Sequence, residues 1–285
     1  MHTRRIGDTE VRAIGLGAMP MSIEGRPDEA RSLATLHAAL DAGVNLVDTA
    51  DAYHRDAGEV GHNETLIAKA LAAHDRGGDV LVATKGGHLR PGDGSWTVDG
   101  SPSHLRAACE ASLRRLGVEA IGLYQFHRPD PDVPYAESVG ALRDLLDEGK
   151  IRMAGISNAD PARIHEAYDI LGGRLVSVQN QFSPAFRSSE PELRLCDELG
   201  IAFLPWSPLG GIVRAGELGS RFAPFARIAE RHGVSPQRVC LAWMLAKSPV
   251  VVPIPGASRP ETIRDSVRAT ELALTAEEIA ELDTV

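Results

Sequence analysis

Cysteine is scarce in this chain of 285 residues: Cys109, Cys196 and Cys240 stand far apart, with no CxxC pair. An odd, scattered set argues against a disulfide framework or a zinc–cysteine centre and fits reduced thiols in a cytoplasmic protein. Long apolar runs are missing too, so no membrane span is predicted, and Met-His-Thr-Arg-Arg-Ile-Gly at the start holds no apolar leader core. Positive charge is in deficit. The 30 Lys and Arg face 39 Asp and Glu, a net charge of −9, which argues against nucleic acid or a membrane surface as partner. The 10 histidines show no HExxH and no HxH at a strand end, so no metal site is predicted. Nor is there a complete dinucleotide fingerprint. Gly15-Leu16-Gly17-Ala18-Met19-Pro20 supplies only the first two glycines of GxGxxG before a proline intrudes, which weakens the case for an open doubly wound sheet.

What the chain does have is regular alternation. Residues 3–6 and 10–12 around Gly7-Asp8 predict an opening hairpin. Short apolar runs at 14–19, 44–48, 80–85, 121–127, 152–157, 175–180, 202–206 and 250–254 then read as strands. Segments with helical period follow them, at 28–42, 64–73, 103–116, 136–148, 161–171, 190–199, 222–247 (broken near 233–236) and 260–270, with a short extra helix at 276–282. Asp28 is a candidate N-cap and Gly43 a C′ glycine. Apolar strands without alternation, each joined to the next by a helix, indicate a parallel sheet covered on its outer face. Repeated over this length, the unit predicts an α/β fold: one (β/α)8 TIM barrel over residues 1–285 with a short N-terminal β-hairpin.

In such a barrel the C-terminal strand ends converge on one mouth, and the unusual polar residues fall there. Strand two ends in Asp48, strand three in Lys85 and strand four in His127; Ser157-Asn158, Gln179-Asn180 and Trp206-Ser207 follow at strands five to seven. Tyr53 lies a short turn beyond Asp48. A buried carboxylate needs a cation, and a phenol that donates a proton near neutral pH needs a positive neighbour to lower its pKa. Lys85 answers both demands. Asp48 holds the ammonium, the ammonium acts on Tyr53, His127 orients a carbonyl oxygen, and Tyr53 protonates that oxygen as it becomes an alkoxide. Nothing in the set supplies hydride, so a nicotinamide cofactor is required.

The motifs GVNLVDTADAY (43–53), GHNETLIAKAL (61–71), ATKGG (83–87), FHRPD (126–130), GKIRMAGISN (149–158), VQNQFS (178–183), PWSPLGG (205–211) and PIPGASRPETIRDS (253–266) together resemble the aldo/keto reductase superfamily, over essentially the whole chain. The resemblance implies a tetrad of Asp48, Tyr53, Lys85 and His127. It implies a nicotinamide site of Asp48, Met19, Ser157, Asn158 and Gln179, with Trp206 stacking where tyrosine or phenylalanine is more usual. Ser207, Pro208, Leu209, Gly210 and Gly211 would carry the pyrophosphate on backbone N–H groups. The 2′-phosphate and adenine site would be Gly256, Ser258, Arg259, Thr262 and Ser266. Here the chain departs from part of the family, with Gly256 in place of lysine, Thr262 in place of arginine, and Asp265-Ser266 where Glu-Asn is common. Ser258 and Arg259, with Arg264 as a helper, are the replacements, so NADP(H) is expected and NAD(H) stays open.

Other readings remain. Lys85 could form a Schiff base in an aldolase, although a partner carboxylate that keeps it charged opposes that chemistry. A non-catalytic protein of the same fold that senses its nicotinamide cofactor would also carry the tetrad. The substrate is expected to be a small aldehyde or ketone, chosen by the loops at 20–27, 54–62, 86–102, 128–135 and 207–221, where His88, Arg90 and Trp96 are candidate lining residues. The residues do not choose an oligomeric state between a monomer and a weak homo-oligomer.

Overall fold

The computed structural model describes residues 2–285. Strands β1 (Thr3–Ile6) and β2 (Thr9–Arg12) form the predicted antiparallel hairpin. Alternating units follow: β3 (Leu16–Gly17), α1 (Glu29–Asp41), β4 (Leu46–Asp48), α2 (His62–Ala72) and β5 (Leu81–Gly86). A small hairpin, β6 (His88–Leu89) with β7 (Thr97–Val98), precedes α3 (Pro102–Leu116). The alternation resumes with β8 (Ile121–Phe126), α4 (Tyr135–Asp147), β9 (Ile151–Ser157), α5 (Pro161–Ile170), β10 (Leu175–Gln179), α6 (Glu190–Leu199) and β11 (Ala202–Phe203). Helices α7 (Leu218–Arg221), α8 (Ala223–His232), α9 (Pro236–Lys247), α10 (Pro260–Val267) and α11 (Ala276–Asp283) complete the chain.

The central sheet is parallel, in the order β3-β4-β5-β8-β9-β10-β11. Its closure differs from the prediction. Residues 250–254 were expected to form an eighth strand, but Pro253 and Pro255 have no N–H to give a ladder. The segment closes the barrel through bridges Phe203↔Val251 and Gly17↔Gly256 instead. Val252 N donates to Phe203 O at 2.9 Å, and Gly15 N and Gly17 N donate to Pro253 O and Pro255 O, each at 3.0 Å. The result is a (β/α)8 barrel whose last stave is held by scattered rather than continuous bonds.

Caps account for the helix limits. The Asp28 side chain accepts from Arg31 N at 2.8 Å, starting α1. The predicted break at 233–236 arises because Gly233 (φ +64°) caps α8 in the left-handed region while Ser235 caps α9 and Pro236 begins it. Inside the barrel, Leu46, Ala83, Leu123, Leu204, Val252 and Ile254 form an apolar core, joined from below by Ile6 and Val11 of the hairpin. The hairpin thereby plugs the N-terminal end, and the polar strand ends are left facing the other mouth.

Candidate active site

Four side chains meet at that mouth, two from strands β4 and β5 and two from the segments that follow β4 and β8. Lys85, on β5, is fully buried. Its Nζ donates to Asp48 Oδ1 at 2.6 Å, to Thr49 O at 2.8 Å and to Tyr53 OH at 3.2 Å, which uses all three ammonium protons. The other Asp48 oxygen accepts from Gln179 Nε2 at 2.7 Å. His127, directly after β8, sets its ring edge-on to Tyr53, with centroids 5.8 Å apart. The pair Asp48–Lys85 is therefore satisfied on every side, as a buried ion pair must be if it is not to destabilise the fold.

Burial alone would pull Lys85 towards the neutral amine, but Asp48 and then Tyr53 outweigh it and raise its pKa, so the ammonium is secure. Tyr53 corrects the sequence expectation. Burial raises the phenol's pKa more than Lys85 lowers it, so the net shift is upward and the resting group is neutral phenol. A neutral phenol is the form that carries a proton to give. Burial, reinforced by the Lys85 charge, pushes His127 well below its ordinary value. Its imidazole is thus neutral, with one N–H to donate, and Nδ1 is buried without a partner.

Asp48, Tyr53 and His127, with Lys85 buried behind them, line a cleft of about 790 Å³ that also takes in Met19, Ser157, Asn158, Gln179, Trp206, Ser207, Pro208, Leu209, Gly211, Gly256, Ser258, Arg259 and Thr262. Asn158, directly after β9, sits at φ +58° and Ser207, in the turn after Trp206, at φ +50°, both unusual for residues with a side chain and both lining the cleft. Asn158 Nδ2 donates to His127 O at 2.9 Å, and Ser157 Oγ donates to Gln179 O at 2.6 Å. The amide oxygens of Asn158 and Gln179 are left without a protein donor among the described residues. Trp206 lines the cleft with its Nε1 unpartnered.

Not every predicted residue reaches the cleft. Ser266 is buried and its Oγ donates to Thr262 O within α10, at 3.1 Å. Asp265 is bound by Arg238 and Ser235, and Arg264 is exposed on the outer side of α10. Gly210 flanks the lining without joining it. Gly256 has a steric reason to be glycine, since a Cβ there would stand 2.9 Å from Pro20 Cγ. Asn180 is structural: its amide exchanges bonds with the backbone of Ala159 at 3.1 and 2.8 Å.

Sequence reasoning missed Gln125. It lies fully buried in β8, with Nε2 3.5 Å from Asp48 Oδ2 and Oε1 accepting from Ser177 Oγ at 3.3 Å. Gly155 makes room for it, because a Cβ there would come 2.9 Å from Gln125 Cγ. A polar residue within an otherwise apolar strand was the available signal. The role of GHNETL was also missed: Asn63 accepts from Thr49 Oγ1 at 2.6 Å and donates to Ala18 O at 2.9 Å, pinning the segment after β3 to the loop after β4.

The aldo/keto reductase family model matches residues 13–285. The chain belongs to this family. It is 35% identical to an uncharacterized oxidoreductase of Schizosaccharomyces pombe over 285 residues, 99% of this chain and 89% of that protein. Among solved structures, a thermostable aldo-keto reductase, Tm1743, crystallised with the inhibitor epalrestat, superposes with a TM-score of 0.83 at 30% identity, covering 100% of this chain and 99% of that one. A Klebsiella pneumoniae aldo/keto reductase in complex with NADP and acetate superposes with a TM-score of 0.82 at 27% identity, covering 99% and 94%. Family membership makes the mouth of the barrel the place to look for oxidoreductase chemistry. No helix of the described residues is long and apolar enough to cross a membrane.

Proposed function

We propose that residues 1–285 act as one unit, a carbonyl reductase that uses a reduced nicotinamide, with Tyr53 as the general acid. The observation that carries this reading is the buried Lys85 bonded at once to Asp48 and Tyr53. That arrangement keeps a charge beside the phenol without letting solvent reach it.

The residues present suit a nicotinamide dinucleotide. The unpartnered oxygens of Asn158 and Gln179 are acceptors suited to a carboxamide NH2, and Trp206 offers a stacking face. Gly211, at φ +95° with open space where a Cβ would stand, leaves backbone N–H groups of the 207–211 turn approachable by phosphate. Ser258, Arg259 and Thr262 stand at the start of α10, where an anion is favoured. The Klebsiella relative's NADP complex supports the same assignment. When bound, a reduced nicotinamide supplies hydride to the carbonyl carbon, leaving an alcohol once the oxygen is protonated.

The chain's own residues do the rest. Neutral His127 donates a hydrogen bond to the carbonyl oxygen and fixes it towards Tyr53. The Tyr53 hydroxyl gives its proton to that oxygen as negative charge builds there. Lys85 stabilises the phenolate left behind, and Asp48 holds Lys85 in place rather than acting as a base.

Loss of reduced-nicotinamide absorbance with a panel of small aldehydes and ketones tests the reading. Turnover is expected; tight cofactor binding without turnover of any carbonyl would favour the sensing protein of the same fold. A preference for NADPH is assigned to Arg259. Arg259→Ala should weaken NADPH binding about 10–100-fold and leave NADH binding unaltered, as read by calorimetry.

A further inference from the structure

The cleft lining contains one carboxylate, Asp48, already bonded to Lys85 and Gln179. It also contains Arg128, the half-buried residue after His127, which has no hydrogen bond or ion pair among the described residues. Four other partly or fully buried arginines are paired with carboxylates: Arg26 with Glu59, Arg90 with Glu24, Arg115 with Glu64 and Arg238 with Asp265. Arg128 is close enough to both His127 and His88 that its charge, after burial, helps keep the two imidazoles neutral. An arginine left unpaired beside the reacting groups is suited to an anion from outside.

Beside it stands an aromatic wall, its rings inclined to one another: His88 and Trp96 by 35°, His88 and His127 by 76°. The His88 ring lies 4.7 Å from that of His127 and 4.7 Å from that of Trp96. The Arg90 guanidinium covers Trp96 at 4.5 Å. Arg90 is itself fixed, donating to His54 O at 2.5 Å and to Glu24 at 2.5 Å. Three mouth loops thus clamp the wall before any ligand arrives, and the β6–β7 hairpin is what delivers His88 and Trp96 to it.

We propose that the substrate is a planar carbonyl compound bearing an anionic group, carboxylate or phosphate, with the anion received by Arg128 and the plane laid against His88 and Trp96. This rests on the reductase reading above. The redox change is the one already described: the carbonyl carbon is reduced, its oxygen takes the Tyr53 proton, the nicotinamide is oxidised, and the anion is untouched.

The test compares 4-formylbenzoate, 4-formylphenyl phosphate and the neutral 4-formylbenzamide as substrates for wild type, Arg128→Gln and Arg128→Lys. Wild type should favour at least one anionic probe over the amide by about 10–100-fold in kcat/KM. The ratio should collapse in Arg128→Gln through KM and recover partly in Arg128→Lys; which anion shows the larger ratio identifies the group. Calorimetric titration with benzoate and phenyl phosphate gives a readout without turnover. A wild-type ratio near one, or a ratio or anion affinity unchanged in Arg128→Gln, overturns the proposal. Arg128-dependent anion binding with no turnover of any probe would overturn the reductase reading and leave the anion site standing.

Discussion

Replacing Lys85 by methionine removes the cation from the middle of the site while keeping much of its apolar stem. Asp48 then loses its 2.6 Å partner and keeps the amide of Gln179. Removing one partner of a buried ion pair costs about 3–5 kcal/mol. With about 2.1 cal/mol/K of unfolding entropy per residue, 285 residues give about 0.6 kcal/mol/K. The melting temperature should therefore fall by about 5–8 °C. Adding Asp48→Asn removes the stranded charge, so the double variant should recover most of that loss. Neither variant should reduce carbonyls at more than about a hundredth of the wild-type rate, since Tyr53 has lost its charge partner. Thermal unfolding followed by circular dichroism reads the first effect, and nicotinamide absorbance the second. A single variant that melts with the wild type, or a double variant that melts no higher than the single, would refute the reasoning that the pair is both buried and mutually dependent.

Asp51 supplies a pH test. Burial, with Glu64 adding to it, pushes its carboxyl up to about 8; the unfolded chain releases that proton near pH 4, about the ordinary carboxylate value. Between those limits the folded state holds the extra proton, so stability falls as pH rises. Asp51→Asn should melt increasingly above wild type from about pH 5 to about pH 8; a gap constant with pH would count against this. His127 is held neutral by burial and by Lys85, so log kcat/KM for reduction should show no inflection near about pH 6.5, the ordinary histidine value. Such an inflection, if it disappeared in His127→Gln, would mean that His127 does titrate there.

The parts of the site that were legible in the sequence were those set by topology. Once apolar runs and helical segments alternate, strand ends share one mouth, and Asp48, Lys85, His127 and Gln179 come together without further information. Features that depend on depth were not legible. Tyr53 was expected to have a lowered pKa because Lys85 was evident and the extent of its burial was not. Gln125 stood out as a polar residue near the end of an apolar strand, but the glycine space opposite it, which lets it point inward, is visible only in three dimensions. The wall of His88 and Trp96 depends on a hairpin whose strands are two residues each, too short for a periodic signal. The eighth stave was read as a strand from its apolar residues, although its prolines leave too few donors for a ladder.

The central claim is that Tyr53 supplies the proton. Its OH accepts from Lys85 Nζ at 3.2 Å, and Tyr53→Phe removes that acid while leaving the ring in place. Single-turnover oxidation of bound NADPH by an aldehyde, measured in wild type and Tyr53→Phe at matched cofactor occupancy, tests this directly. The account predicts a rate lower by at least about a hundredfold in the variant; reduction at the wild-type rate would contradict it.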